Sequence, residues 1–207
     1  MARNSCADTV PLVVDTLRTL CETDVSAVTS NIRSMPLPAD TYARLAFLPT
    51  YAQAVWHFRA EEYIASKVFK SQSRTPSIKG AISLSGQTWG YWVHDYNDNK
   101  LIFLRLFSSY PSSSTVEEEE KATNEVAAVL RAAQAEAADW SFHQVVIWNP
   151  QPRTLDACKL VLEGGKAPEV RKRTEGSIPC LRWNGDKGDE VFEKGLEWIV
   201  LEKYCWC

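Results

Sequence analysis

KLIFLRLFSSYPSSSTVEEEEKATNEVAAVLRAAQAEAADWSFHQVVIW, residues 100–148, runs through a strand, a polar loop, a long helix and a second strand. KLIFLRLF (100–107) is apolar enough to be a buried strand, and SSYPSSST (108–115) is too polar and too rich in serine to continue it. From Val116 to Asp139 the residues Ala122, Val126, Val129, Leu130, Ala133 and Ala137 repeat at helical spacing. Glu117 to Glu120 sit in the first turns of that helix, where acids suit its dipole. HQVVIW (143–148) is nearly all apolar, which predicts an interior strand covered on both faces. A long helix that leaves one strand and returns to a buried one is a parallel crossover, expected to be right-handed.

Working outward, IKGAISL (78–84) and QTWGYWVH (87–94) precede the quoted strand. Ser85-Gly86 and YNDN (96–99) separate the three, which therefore read as an antiparallel meander. Before them a helix is expected from Thr50, its N-cap, to about Phe69. After the crossover, Asn149-Pro150 ends the strand. Thr154 to Leu162 forms a short helix stopped by Gly164-Gly165, and two late strands fall near 178–183 and 196–204. At the other end, Val10, Leu12, Val13, Leu17 and Leu20 predict a helix over 9–20. A second is expected from Asp24 to Ile32, and SMPLPAD (34–40) breaks the pattern. Residues 1–40 read as an N-terminal helical arm on a domain of 41–207, or equally as the remnant of a linker. The fold class is α/β: a mixed, mostly antiparallel central sheet with a long crossover helix and flanking helices.

Composition narrows the function classes. With 45% hydrophobic and 24% charged residues the chain is globular, and its formal net charge of −3 makes nucleic acid an unlikely partner. The one basic run, VRKRTEG (170–176), reads as a solvated loop. Six cysteines and three histidines match no zinc spacing, so no metal site is expected. The first twenty residues make a poor signal peptide and no stretch approaches a membrane span, which points to the cytoplasm and reduced thiols.

Candidate chemistry gathers in WHFRAEEY (56–63) and at the second meander strand. On a helix, His57 and Glu61 stand four apart on one face. His94 and Asp95 end a strand, where sites cluster. If the helix packs beside the strand ends, both histidines line one cleft and a carboxylate beside either gives a general acid/base pair. Arg59 then suits a substrate carboxylate, and Trp56, Trp89 and Trp92 suit the walls. Arg105 is a charge within an apolar strand and must reach an edge or find a partner; ligand contact is one reading. His143 and Cys158 read as structural.

From its first long helix onward the element order resembles the GNAT-type N-acyltransferase fold. VIWNPQPRTLDACKLVLEGG (146–165) is similar to the segment after the fifth GNAT strand, with Asn149, Ala157 and Gly164 or Gly165 in the matching places. FLPTYAQAVWHFRAEEY (47–63), IKGAI (78–82), WGYWVHDY (89–96) and LIFLRL (101–106) resemble the second, C-terminal GNAT-like lobe of the fungal lysine N-acetyltransferases, over about 40–204. In that family an acyl-CoA-binding lobe comes first, and 207 residues hold the second lobe without room for it. The resemblance implies a biosynthetic small-molecule enzyme, acetyl-CoA or another acyl-CoA as donor, and a pocket at Trp148 and Asn149, where two strands splay.

GNAT proteins hold the CoA pyrophosphate on a Gly-rich loop of the type Q/R-x-x-G-x-G/A at a helix N-terminus. The equivalent loop, LFSSYPSSSTVEEEE (106–120), has no glycine, and Pro111 lacks an amide donor. Ser112, Ser113 and Ser114 remain as donors against the four glutamates of 117–120, which repel phosphate. Three readings follow: an N-acyltransferase with an altered donor site acting on an amino-acid-like substrate, a CoA-independent enzyme using the His57 and His94 cleft, or a non-catalytic module. The last would form a homodimer or dock on a partner chain through the face that the missing lobe would cover.

Overall fold

The computed structural model describes residues 8–69, 76–111, 115–172, 182 and 195–206. Its strands are β1 (Thr9–Leu12), β2 (Ala43–Leu45), β3 (Gly80–Ser83), β4 (Thr88–Asp95), β5 (Lys100–Ser108), β6 (Gln144–Val146) and β7 (Leu196–Trp198). Its α-helices are α1 (Leu17–Ser34), α2 (Tyr51–Val68), α3 (Val116–Asp139) and α4 (Pro152–Val161). The central sheet has the order β1-β3-β4-β5-β6, antiparallel throughout except for the parallel β5–β6 pair that α3 connects. This is the expected mixed α/β sheet with a long crossover helix.

Alternation along the strands divides the core into two layers. Trp92, Leu101 and Phe103 face α3, where they meet Val126, Val129 and Leu130. Trp89, Tyr91 and Leu104 face the other way, against Leu17 of α1 and Phe58 of α2. Gly90 lies opposite Leu106, and a Cβ there would come within 2.6 Å of the Phe103 ring, so a larger residue would displace the core. Two of the three long helices, α2 and α3, start as their sequences require. Thr50 accepts from the Gln53 amide and Gln53 accepts from the Thr50 amide, and Thr115 and Glu118 make the same reciprocal box.

Three expectations need correction. The stripe at 9–20 is not one helix: Thr9–Leu12 is an edge strand paired with β3, a 3₁₀ turn covers Val14–Thr16, and one helix runs from Leu17 through Ser34. Val10 and Leu12 served alternation as well as helical spacing, and Pro11 is tolerated because among the described residues β1 pairs on one side alone, with β3. The run at 143–148 is not interior. Only Gln144–Val146 is strand, at the edge of the described sheet and partly exposed, because among the described residues no strand follows on its outer side. The last strand is Leu196–Trp198 alone, paired in parallel with β2 away from the central sheet, and the chain ends on a 3₁₀ turn, Lys203–Cys205. The expected strand at 178–183 lies outside the described residues save for Arg182.

Candidate functional site

β5 and β6 part early. Lys100, Leu101 and Ile102 pair with Gln144, Val145 and Val146, and β5 then continues to Ser108 with no strand on that side among the described residues. A bulge follows at once: Tyr91 pairs with Arg105 and Trp92 with Phe103, leaving Leu104 as the extra residue. Strict alternation after Leu101 and Phe103 would turn Arg105 into the α3 layer. The bulge re-aims it toward α1. There Arg105 Nε and Nη2 each donate at 2.7 Å to the two carboxylate oxygens of Asp24, a bidentate pair.

The chain's own C-terminal segment bridges the gap. Glu202 accepts from Arg105 Nη1 with one oxygen and from the Leu106 amide with the other, the latter at 2.8 Å. Asn149, in the left-handed region at φ 48°, which asparagine tolerates, donates its side-chain amide to the Leu201 carbonyl. The Lys203 ammonium lies 4.9 Å from the centre of the Trp148 ring. His57 Nε2 lies 3.0 Å from the Tyr204 carbonyl; a carbonyl only accepts, so Nε2 carries a proton. The Tyr204 hydroxyl donates to Phe47 O at 2.6 Å. Burial lowers the His57 pKa against the opposing effect of that carbonyl bond. Burial raises the Glu202 pKa although Arg105 pulls it down. The cluster sets two carboxylates, Asp24 and Glu202, against one guanidinium.

A second polar cluster is centred on His94, near the end of β4. Glu61 accepts from the Lys79 ammonium, from the His94 amide at 2.7 Å and from His94 Nδ1 at 2.7 Å. His94 Nε2 faces Glu136 Oε1 at 3.1 Å, and the Trp140 indole donates to the same oxygen at 2.9 Å. Burial alone would lower the His94 pKa, but the bonds to Glu136 and Glu61 outweigh it and raise it. Carboxylates on both ring nitrogens demand two N–H donors, which only imidazolium supplies. The His94 side chain is 0% exposed and that of Glu61 2%, with the rings of Trp140, Phe142 and Tyr96 packed around the imidazole. Neither group is open to the surface in this arrangement.

The sequence candidates therefore divide. His57 and Glu61 share one face of α2, as their spacing requires, yet each serves a different neighbour. His57, Arg105, Trp148 and Asn149 converge on residues 201–204. Asp95 caps its turn, accepting from the amides of Asn97 and Asp98 at 3.1 and 3.3 Å. Arg59 is exposed and pairs with Glu62, and Trp56 is half-exposed against the His57 ring. Trp89 and Trp92 are core residues on opposite faces of the sheet. Ser112, Ser113 and Ser114 lie outside the described residues. Asp24, Lys79, Glu136 and Glu202 were missed. Lys79 in IKGAISL and Glu136 in an alanine-rich helix carried the same signal as Arg105, a charge inside an apolar pattern; Asp24 and Glu202 carried none.

The start of α3 is occupied from within. The Glu118 amide is held by Thr115 Oγ1 and the Thr115 amide by Glu118. Arg153 of α4 grips Glu119 at 2.8 and 2.5 Å and reaches the carbonyls of Tyr110 and Pro111 at 3.1 and 3.0 Å. Among the described residues of this loop, the Thr115 and Glu118 amides are thus spent on the capping box, and the Arg153 guanidinium beside them is spent on Glu119 and two carbonyls, which leaves none of these groups to a pyrophosphate. A surface cleft of about 600 Å³ lies between β3 and α3, lined by Ser83, Ser85, Lys121 and Glu125 among others, away from both clusters. No described helix is long and apolar enough to cross a membrane.

The family model that matches describes the LYC1 GNAT-like C-terminal domain, over residues 2–207. No curated protein and no solved structure matched the chain. The five-stranded sheet, the crossover through α3 and the early parting of β5 from β6 accord with that match, and the chain belongs to the LYC1 GNAT-like C-terminal domain family.

Proposed function

We propose that this GNAT-like domain is the acceptor-side lobe of an N-acyltransferase for amino-acid-like substrates, working beside another lobe, in the same chain or a second one, that holds acyl-CoA. The GNAT fold is an acyltransferase-type fold whose members generally bind acyl-CoA. What carries the reading is Glu202 seated on the Leu106 amide and Arg105, in the opening between β5 and β6. A donor molecule entering there would have to expel that carboxylate and leave Arg105 to Asp24 alone. The capped start of α3 supports the same reading from a second place.

Calorimetry with acetyl-CoA on the 207-residue chain tests it. The expected result is no heat of binding at millimolar ligand. A micromolar affinity, about −8 kcal/mol, overturns it and makes this lobe a donor site in its own right. A second reading, a non-catalytic module, draws on the outer face of α2, where Trp56 and Tyr63 are 51% and 64% exposed. Light scattering that shows one monomeric species at all concentrations counts against its homodimeric form.

A further inference from the structure

We propose that the Arg105 guanidinium and the Leu106 amide form a binding site for a small carboxylate ligand, which Glu202 fills from within the chain. This deepens the acceptor-side reading by naming a chemistry for the cleft, and it rests on that reading only for the cleft's place in an acyltransfer assembly.

The geometry is that of carboxylate recognition. Asp24 fixes the guanidinium plane through Nε and Nη2, so Nη1 is held in position independently of Glu202. The Leu106 amide projects from the stretch of β5 that β6 has left, and no ladder bond uses it on that side. These two donors converge on the two oxygens of one carboxylate. The guanidinium and the carboxylate that meets it are both buried: Arg105 is 7% exposed and Glu202 8%. An empty site would leave an unsatisfied amide and a half-used guanidinium, which is costly. An acceptor must therefore meet both donors whenever the cleft is closed.

Glu202 reaches the site from a segment that is not part of the central sheet. The segment itself is anchored beside the site: Asn149 holds the Leu201 carbonyl, His57 holds the Tyr204 carbonyl, and the Tyr204 ring is buried in the core with its hydroxyl on Phe47 O. Removing the Glu202 carboxylate therefore empties the two donors while the backbone around them stays tied. A free carboxylate then satisfies the same two donors, because the site asks for the carboxylate and not for the chain that carries it. Asp24 already balances Arg105, so a second acid binds weakly at neutral pH, and the test uses a large excess of ligand.

The experiment is chemical rescue of Glu202→Ala in the full chain. Thermal unfolding is followed in sodium chloride and in sodium acetate or formate at matched ionic strength. The expected result is a midpoint below that of the wild type, from which acetate recovers more than half of the loss in a saturable way. Chloride recovers little, and the wild type, already filled, does not respond. A folded variant that responds alike to acetate and chloride, or one as stable as the wild type, overturns the site. If Glu202→Ala does not fold, Glu202→Gln is titrated with acetate while the Arg105 Nε–H and Leu106 amide resonances are followed; saturable shifts of both support the site, and fixed resonances overturn it. Acetyl-CoA binding is a separate measurement. A chain that takes both acetate and acetyl-CoA refutes the proposed function and leaves this site standing.

Discussion

Two buried ionic clusters, one around His94 of β4 and one around Arg105 of the neighbouring β5, differ in how their charges add up. Around His94, the Lys79 ammonium and an imidazolium meet the Glu61 and Glu136 carboxylates, so cations and anions balance. Around Arg105, one guanidinium meets Asp24 and Glu202, and the cluster carries an excess of acid. The pKa directions follow. His94 is raised, toward the balanced state, once its two carboxylates outweigh burial. Glu202 is raised by burial, toward the neutral form that would remove the excess. The first cluster is also built from α2, β4, α3 and the residue before β3, whereas the second takes one of its acids from residues 201–206. The balanced cluster is complete without that segment, and the unbalanced one is not, which is why the carboxylate site proposed above falls on the second.

The largest expected effect comes from Arg105→Ala, which strands Asp24 and Glu202 against each other in the core. Urea unfolding should show a loss of about 3–5 kcal/mol. A loss under 1 kcal/mol would mean that water already reaches the cluster, and the contrast in burial fails.

Next is Glu61→Gln, which keeps the shape but removes the charge shared by Lys79 and His94. The expected cost is about 2–3 kcal/mol by the same measurement, in the range of hydrogen bonds to charged groups.

The balanced cluster also has a pH signature. The raised His94 pKa means that its stabilisation is full below the ordinary histidine value of 6.5 and is lost as pH rises through the higher folded value. The groups that set it are Glu61 on α2, Glu136 on α3 and Lys79, bonded to Glu61. Unfolding free energy should therefore fall above neutral pH by up to ~1.4 kcal/mol per pH unit for the one proton. His94→Gln should flatten that slope; an unchanged slope would assign it to another group.

The smallest effect is expected from Glu202→Gln, about 1 kcal/mol or less at neutral pH, because a neutral side chain relieves the excess acid. Glu202 contributes most below the ordinary carboxylate range and less as pH rises through its raised value, so the cost of this substitution should shrink with rising pH. If Glu202→Gln costs as much as Glu61→Gln, the distinction between a balanced and an unbalanced cluster is wrong.

Much of the frame was legible because it rests on local rules. Thr50 and Thr115 announced their helices by capping chemistry, the α3 stripe gave the crossover, and Gly86 and the YNDN turn set the meander. Residues 9–12 were misread because a few apolar residues fit both periods, and only pairing with β3 makes the choice. Of the candidate cleft, His57, Arg105, Trp148 and Asn149 were visible as residue types out of keeping with their surroundings. Their common partner was not visible, since Asp24 and Glu202 lie 81 and 97 residues from Arg105. The bulge at Leu104, which turns Arg105 toward α1, leaves no mark in the composition of β5.

By itself, then, the sequence determined the order and type of the main elements and which buried charges had to find partners. Those are consequences of periodicity, capping and the cost of an unpaired charge, which act over a few residues. The tertiary structure decided which acid meets which base, which strand ends the sheet, and that the opening between β5 and β6 is closed by the chain's own C-terminal segment. Those depend on groups nearly a hundred residues apart reaching one point, and no local rule encodes that meeting.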